Sequence, residues 1–165
     1  MNSRILSSGP LVMAAMSIVL SASAVLAEVK TLNVQGSLDG HGIGVVQGGT
    51  LQASAAGAGN ASNIGRFIYV MNATVNGNGS SGSSTGVFLL AFNNGDVIHG
   101  SFTGFGSLTG PNAGHIVENL TINGGTGRFE GATGSLTLDR TVDLSTLPAY
   151  DSHAGTLTGT ISTPK

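Results

Sequence analysis

Short clusters of β-branched and aromatic residues recur along this chain, separated by pieces rich in Gly, Thr, Ser and Asn. All but one of the 27 glycines lie beyond residue 27. Glycine is a poor helix former, whereas β-branched and aromatic side chains suit a pleated, half-buried surface. Such a composition can signal disorder, but the regular return of apolar clusters argues against it. The pattern predicts an all-β domain of short strands and tight turns.

About eight strands can be drawn: residues 29–38, 44–53, 66–76, 85–93, 96–108, 115–123, 132–140 and 155–163. The second is weak and broken by Gly48-Gly49, and glycines in the fifth suggest bulges or bends. Asn93-Asn94-Gly95-Asp96 reads as a hairpin turn, because Asn and Gly both tolerate positive φ. Residues 53–63 and 76–84 read as small-residue connections, the latter mobile. Residues 144–151, with Pro148, read as an irregular segment closing one end of the domain.

Side-chain phase indicates which residues face inward. Leu136 and Leu138 oppose Ser135, Thr137 and Asp139, and Leu157 and Ile161 oppose Thr156, Thr158 and Thr160, so those strands have one buried and one wet face. Two strands are apolar on both faces. Phe67, Tyr69 and Met71 oppose Ile68 and Val70, and Phe88, Leu90 and Phe92 oppose Val87, Leu89 and Ala91. An N-terminal segment or another subunit is expected to cover their outer side.

The first 27 residues have the pattern of a secretory signal peptide. Arg4 precedes an uncharged, apolar or small-residue stretch from Leu11 to Ala27. Cleavage is expected after Ala27, with Ala24 the alternative. The stretch is short for a membrane span, which needs roughly 20 apolar residues. No later stretch qualifies, so no membrane span is expected after cleavage. Residues 28–165 have the length of a single domain. The chain has no Cys, which excludes thiol catalysis and thiolate metal sites. A leader with no cysteine fits a bacterial protein exported to the periplasm or the exterior.

Beyond residue 27, five basic residues stand against eight acidic ones. That balance argues against a nucleic-acid partner and against docking on anionic lipid.

The most distinctive segment is Thr121-Ile-Asn-Gly-Gly-Thr-Gly-Arg-Phe-Glu-Gly-Ala-Thr-Gly134. It resembles the GGTGxFxxAxG turn of the allene oxide cyclase and dirigent proteins, and more closely the bacterial secreted proteins grouped with that barrel. The resemblance covers about residues 96–140. It implies a closed eight-stranded antiparallel β-barrel, with dimers or trimers allowed and an interior able to hold a small apolar ligand. The matched residues serve turn and packing: Gly124, Gly125 and Gly127 are expected to take left-handed backbone angles, and Phe129 to plug the core. The family's catalytic residues find no counterpart here. No helix follows the glycines, so they are not read as a phosphate cradle, and no cofactor is expected.

Among polar residues Glu118 stands out. Ile116, Leu120 and Ile122 share its phase, so a regular register points it inward, where a carboxylate suits general acid or base catalysis. A bulge or a rim position would instead leave it in water. Arg128 is the expected charge partner of Glu118, or of Glu130 across the hairpin. The alternative for Arg128 is a solvated surface pair worth about 0–1 kcal/mol. Candidate ligand contacts are Tyr69, Phe88, Phe92, Phe102 and Asp96. Asp96 is placed either at the barrel mouth or in the turn after Gly95, and Tyr69 and Tyr150 are also readable as packing residues. His41, His99, His115 and His153 form no metal-binding pair in sequence, so no metal site is expected. No GxSxG elbow surrounds any serine.

These readings favour a binding or interaction barrel over an enzyme. A cyclase or isomerase using an apolar cavity and one acid is the alternative, and a fully packed structural module is another.

Overall fold

The computed structural model describes residues 28–145 and 151–165. The proposed leader, Pro148 and Tyr150 lie outside the described residues. Eight antiparallel strands form a closed barrel in sequence order. They are β1 (Val29–Gln47), β2 (Thr50–Ala61), β3 (Gly65–Gly77), β4 (Ser81–Phe92), β5 (Val97–Gly110), β6 (Ala113–Gly125), β7 (Thr133–Asp143) and β8 (Asp151–Pro164). β1 and β8 close the ring in a register running from Val29–Pro164 to Gly42–Asp151. No helix among the described residues is long and apolar enough to cross a membrane, which says nothing of spanning by strands.

The strands are longer than expected, and the reasons are local. Gly48 and Gly49 do not interrupt a strand. With φ of 60° and 84° they form the two-residue turn between Gln47 and Thr50. Positive φ at both central residues matches the right-handed twist of the flanking strands. Residues 53–63, expected as a connection, mostly belong to β2, which pairs on both sides with β1 and β3. Hydrogen bonding to two neighbours outweighs the weak strand propensity of its Ala and Gly residues. Residues 76–84 shorten to a turn in which Asn78 Oδ1 accepts from the backbone N–H groups of Ser80 and Ser81 at 3.1 and 3.0 Å. In the turn after Phe92 only Gly95 has positive φ, at 85°; Asn94 does not. Register shifts fall between His99 and Gly100 and between Leu108 and Gly110, within the glycine-bearing strand expected to bulge.

The two ends of the barrel differ. At the end holding Val29 and Pro164, the interior is filled by Ile64, Phe67, Phe92, Ile98, Phe129 and Ile161, all buried. Phe129 lies on a short 3-10 turn, Gly127–Phe129, and is completely buried, as a plug should be. Its ring is 4.9 Å from that of Phe92, which meets Phe67 edge-on at 6.2 Å. Inward glycines make room for the aromatics: a Cβ at Gly100 would come 2.7 Å from the Phe88 ring, and one at Gly86 2.6 Å from Phe102.

The predicted inward sets of β7 and β8 are buried, and of the two apolar faces of β3 and β4 the buried ones carry Phe67, Tyr69 and Met71 and Phe88, Leu90 and Phe92. The outer residues Ile68 and Val87 are 61% and 56% exposed, and no segment among the described residues covers them.

Candidate functional site

At the opposite end the interior enclosed by the described residues is hollow. A cavity of about 440 Å³ reaches the β1–β2, β3–β4 and β5–β6 hairpins, with Leu51, Ala53, Ala73, Val75, Ile116 and Val142 among its apolar walls. Its small side chains leave the space that the phenylalanines fill at the other end. Its polar lining includes Ser84, Glu118, Arg140 and Asp151.

Glu118 faces inward as its phase requires and is 2% exposed. Its partner is Arg140, not Arg128. Arg140 Nη2 and Nε donate to the two carboxylate oxygens at 2.9 and 3.0 Å, a bidentate pair. This geometry satisfies both oxygens and balances the buried charge. Arg140 shares its phase with Leu136 and Leu138, and β7 pairs directly with β6. Gly104 lies beside Glu118 in the sheet, and a Cβ there would sit 2.7 Å from Glu118 Cγ.

A second polar group crosses the interior nearby. Tyr69 Oη is 2.5 Å from His153 Nε2, and His153 Nδ1 is 3.1 Å from Asp151 Oδ1. Burial pushes the Tyr69 hydroxyl from 10.0 up to about 12; Arg140 opposes the rise, whereas Asp39, Asp151 and Glu118 add to it. The phenol is therefore protonated at neutral pH and can donate to His153 Nε2. In that arrangement a proton on Nδ1 donates to Asp151. Gly40 and Gly57 leave space for this hydroxyl, since a Cβ at Gly57 would lie 2.7 Å from it and one at Gly40 closer still.

Arg128 works at the plugged end. Its Nη2 donates to the Ile64 carbonyl at 2.6 Å, its Nε lies 3.4 Å from Asp96 Oδ2, and its guanidinium sits over the rings of Phe92 and Phe129. Glu130, the other suggested partner, is exposed. Asp96 is a turn residue at that end, with its backbone N–H donating to Asn94 Oδ1 at 3.2 Å. Gly124 and Gly127 take positive φ, 151° and 58°, but Gly125 does not. Gly125 is needed for space instead, because a Cβ there would lie 2.4 Å from the Val97 carbonyl oxygen.

Phe88, Phe92 and Phe102 belong to the packed core, and Tyr69, also in the core, is linked to the cavity lining by the His153–Asp151 chain. His99 is exposed, and His115 pairs with Asp139 at 2.7 Å on the outside.

Sequence reasoning left out Arg140, His153, Asp151 and Ser84. For all four a phase signal exists. Arg140 follows Leu136 and Leu138, Asp151 and His153 precede Leu157 and Ile161, and Ser84 precedes Phe88 and Leu90, each at even spacing. Starting β4 at Thr85 and β8 at Gly155 hid three of them. No protein-family model matches the chain, and no curated protein matches it either.

Proposed function

We propose that this chain is an exported β-barrel that binds a small, mainly apolar ligand inside its hollow end. The observation that carries this reading is the cavity of about 440 Å³, apolar over most of its wall with a few buried polar groups converging on it. Ligand sites commonly enclose about 300–1,000 Å³ and share that division between apolar walls and a few polar contacts. An eight-stranded barrel can be filled by side chains or hold one small ligand, and this one is filled at one end only. Membership of the allene oxide cyclase and dirigent-like barrels belongs to the same proposal. It is supported by the closed antiparallel ring and by the Gly124–Gly134 turn that carries the plug.

The test is isothermal titration of the purified chain with a panel of small apolar compounds, in the wild type and in Ala73→Phe. Ala73 lines the cavity, and a phenyl ring there would occupy it. Binding in the wild type that is lost in the variant, with unchanged far-ultraviolet circular dichroism, supports the reading. No binding by any compound, or equal binding in both proteins, overturns it.

The Tyr69–His153–Asp151 chain favours a second reading, a cyclase or isomerase moving a proton at the cavity wall. Turnover abolished by both Glu118→Gln and His153→Gln, with the apolar panel still bound, would place catalysis ahead of binding alone.

A further inference from the structure

Ser84 Oγ is the one buried side-chain polar atom among the described residues that has no hydrogen-bond partner. The residue is 8% exposed, lies in phase with Phe88, Leu90 and Phe92, and lines the cavity. A buried hydroxyl left unsatisfied is costly, so a native interior keeps few of them. Its neighbours across the sheet are Gly104 on β5 and, beyond that, Glu118 on β6. The missing side chain at Gly104 lets the two stand next to each other, since a Cβ there would clash with both, 2.7 Å from Ser84 Oγ and 2.7 Å from Glu118 Cγ. A ligand atom that reaches the serine therefore arrives beside the ion pair.

The charges around Ser84 select against an ionic head. Among the described residues that line the cavity, Glu118 and Asp151 carry negative charge and Arg140 positive. His153, in contact with Asp151, brings the total to zero at most when protonated. An ionic head of either sign would have to give up its hydration beside a Glu118–Arg140 pair whose charges already satisfy each other, whereas an uncharged oxygen costs far less to desolvate. Arg140 spends two of its five N–H groups on Glu118, so donors remain for an oxygen acceptor. A serine hydroxyl can both donate and accept.

Building on the cavity reading, the geometry points to a ligand whose polar end is an uncharged oxygen, a hydroxyl or a carbonyl, seated on Ser84 Oγ beside the Glu118–Arg140 pair. The chemical class is a neutral, singly oxygenated apolar molecule.

A matched series tests it: decanol, a decanone, decanoate, decylamine and decane, titrated at neutral pH into the wild type and Ser84→Ala. Decanol or the decanone should bind about tenfold more tightly than the two ions and than decane, one well-made buried hydrogen bond being worth about that factor. Ser84→Ala should erase the advantage over decane and leave decane binding unchanged. Because Ser84 Oγ bonds to no described residue, the variant should unfold at the same or a higher urea concentration, which separates lost recognition from lost folding. Tightest binding by decanoate or decylamine, or an alcohol preference that survives Ser84→Ala, overturns the inference while the cavity reading stands. Failure of every compound, decane included, overturns both.

Discussion

Arg140→Met should be the most damaging single change in the hollow end. The substitution keeps the length of the stem but removes the guanidinium from a carboxylate that is 2% exposed and accepts from it at 2.9 and 3.0 Å. Breaking one side of a buried ion pair costs about 3–5 kcal/mol, because the other charge is left without a counter-ion in a poorly solvating interior. Glu118 borders a cavity that water can enter, so the loss should fall near the lower bound, about 3 kcal/mol. That is a large part of the stability of an ordinary domain, about 5–15 kcal/mol. Adding Glu118→Gln removes the stranded charge, and the double variant should recover at least about 1 kcal/mol of the loss. Urea unfolding followed by circular dichroism gives each value, provided that the denaturant slope is the same across the set. A loss below about 1 kcal/mol for Arg140→Met would put the pair in the class of solvated surface bridges. A double variant as unstable as the sum of the single ones would show no interaction between the two side chains. Either result refutes the account of a buried, mutually dependent pair.

Tyr69 should make the barrel sensitive to alkali. Its folded-state value of about 12 lies above the ordinary 10.0, so the folded chain holds this proton more tightly than the unfolded one. The stabilisation is complete below pH 10 and disappears as the pH rises toward 12. The full rise corresponds to at most about 2.7 kcal/mol, which the neighbouring water-accessible cavity reduces to about 1–2 kcal/mol. Urea unfolding between pH 9 and pH 11 should show a fall that Tyr69→Phe lacks; equal falls in both proteins would contradict the assignment. Arg128→Ala should lower stability by about 1–2 kcal/mol through the lost carbonyl bond and ring contacts, leaving ligand titrations unchanged. Weakened binding at full stability would instead move Arg128 into the site. Mass spectrometry of protein recovered from outside the cytoplasm should find chains beginning at Glu28, or at Val25 if cleavage follows Ala24. Chains that retain Met1 would refute processing of the leader.

The ring of strands was legible because alternation is written into the sequence. Leu136, Leu138, Leu157 and Ile161 are inward, and Glu118 is inward for the same reason. The strand ends were not legible, because Ala53–Gly59 and Ser81–Ser84 have little strand propensity and are held by the neighbours that pair with them. That shortfall carried into the site. With β8 started at Gly155, His153 fell in a loop, and with β4 started at Thr85, Ser84 fell in a mobile one. The partner of Glu118 was sought in the nearest cation by hairpin, whereas the register sets Arg140 one strand away and sends Arg128 to the far end. Phase predicts facing direction; only the register says at which height two inward side chains meet.

The first and last described residues leave the barrel side by side, with the Lys165 backbone N–H donating to the Glu28 carbonyl at 2.8 Å. Both stand at the plugged end. A tag, tether or fused domain attached at either side would thus hang beneath the molecule and leave the hollow end unobstructed. A short linker from Lys165 to Glu28, with new ends opened at Gly48-Gly49, would give a circular permutant with every strand pairing preserved.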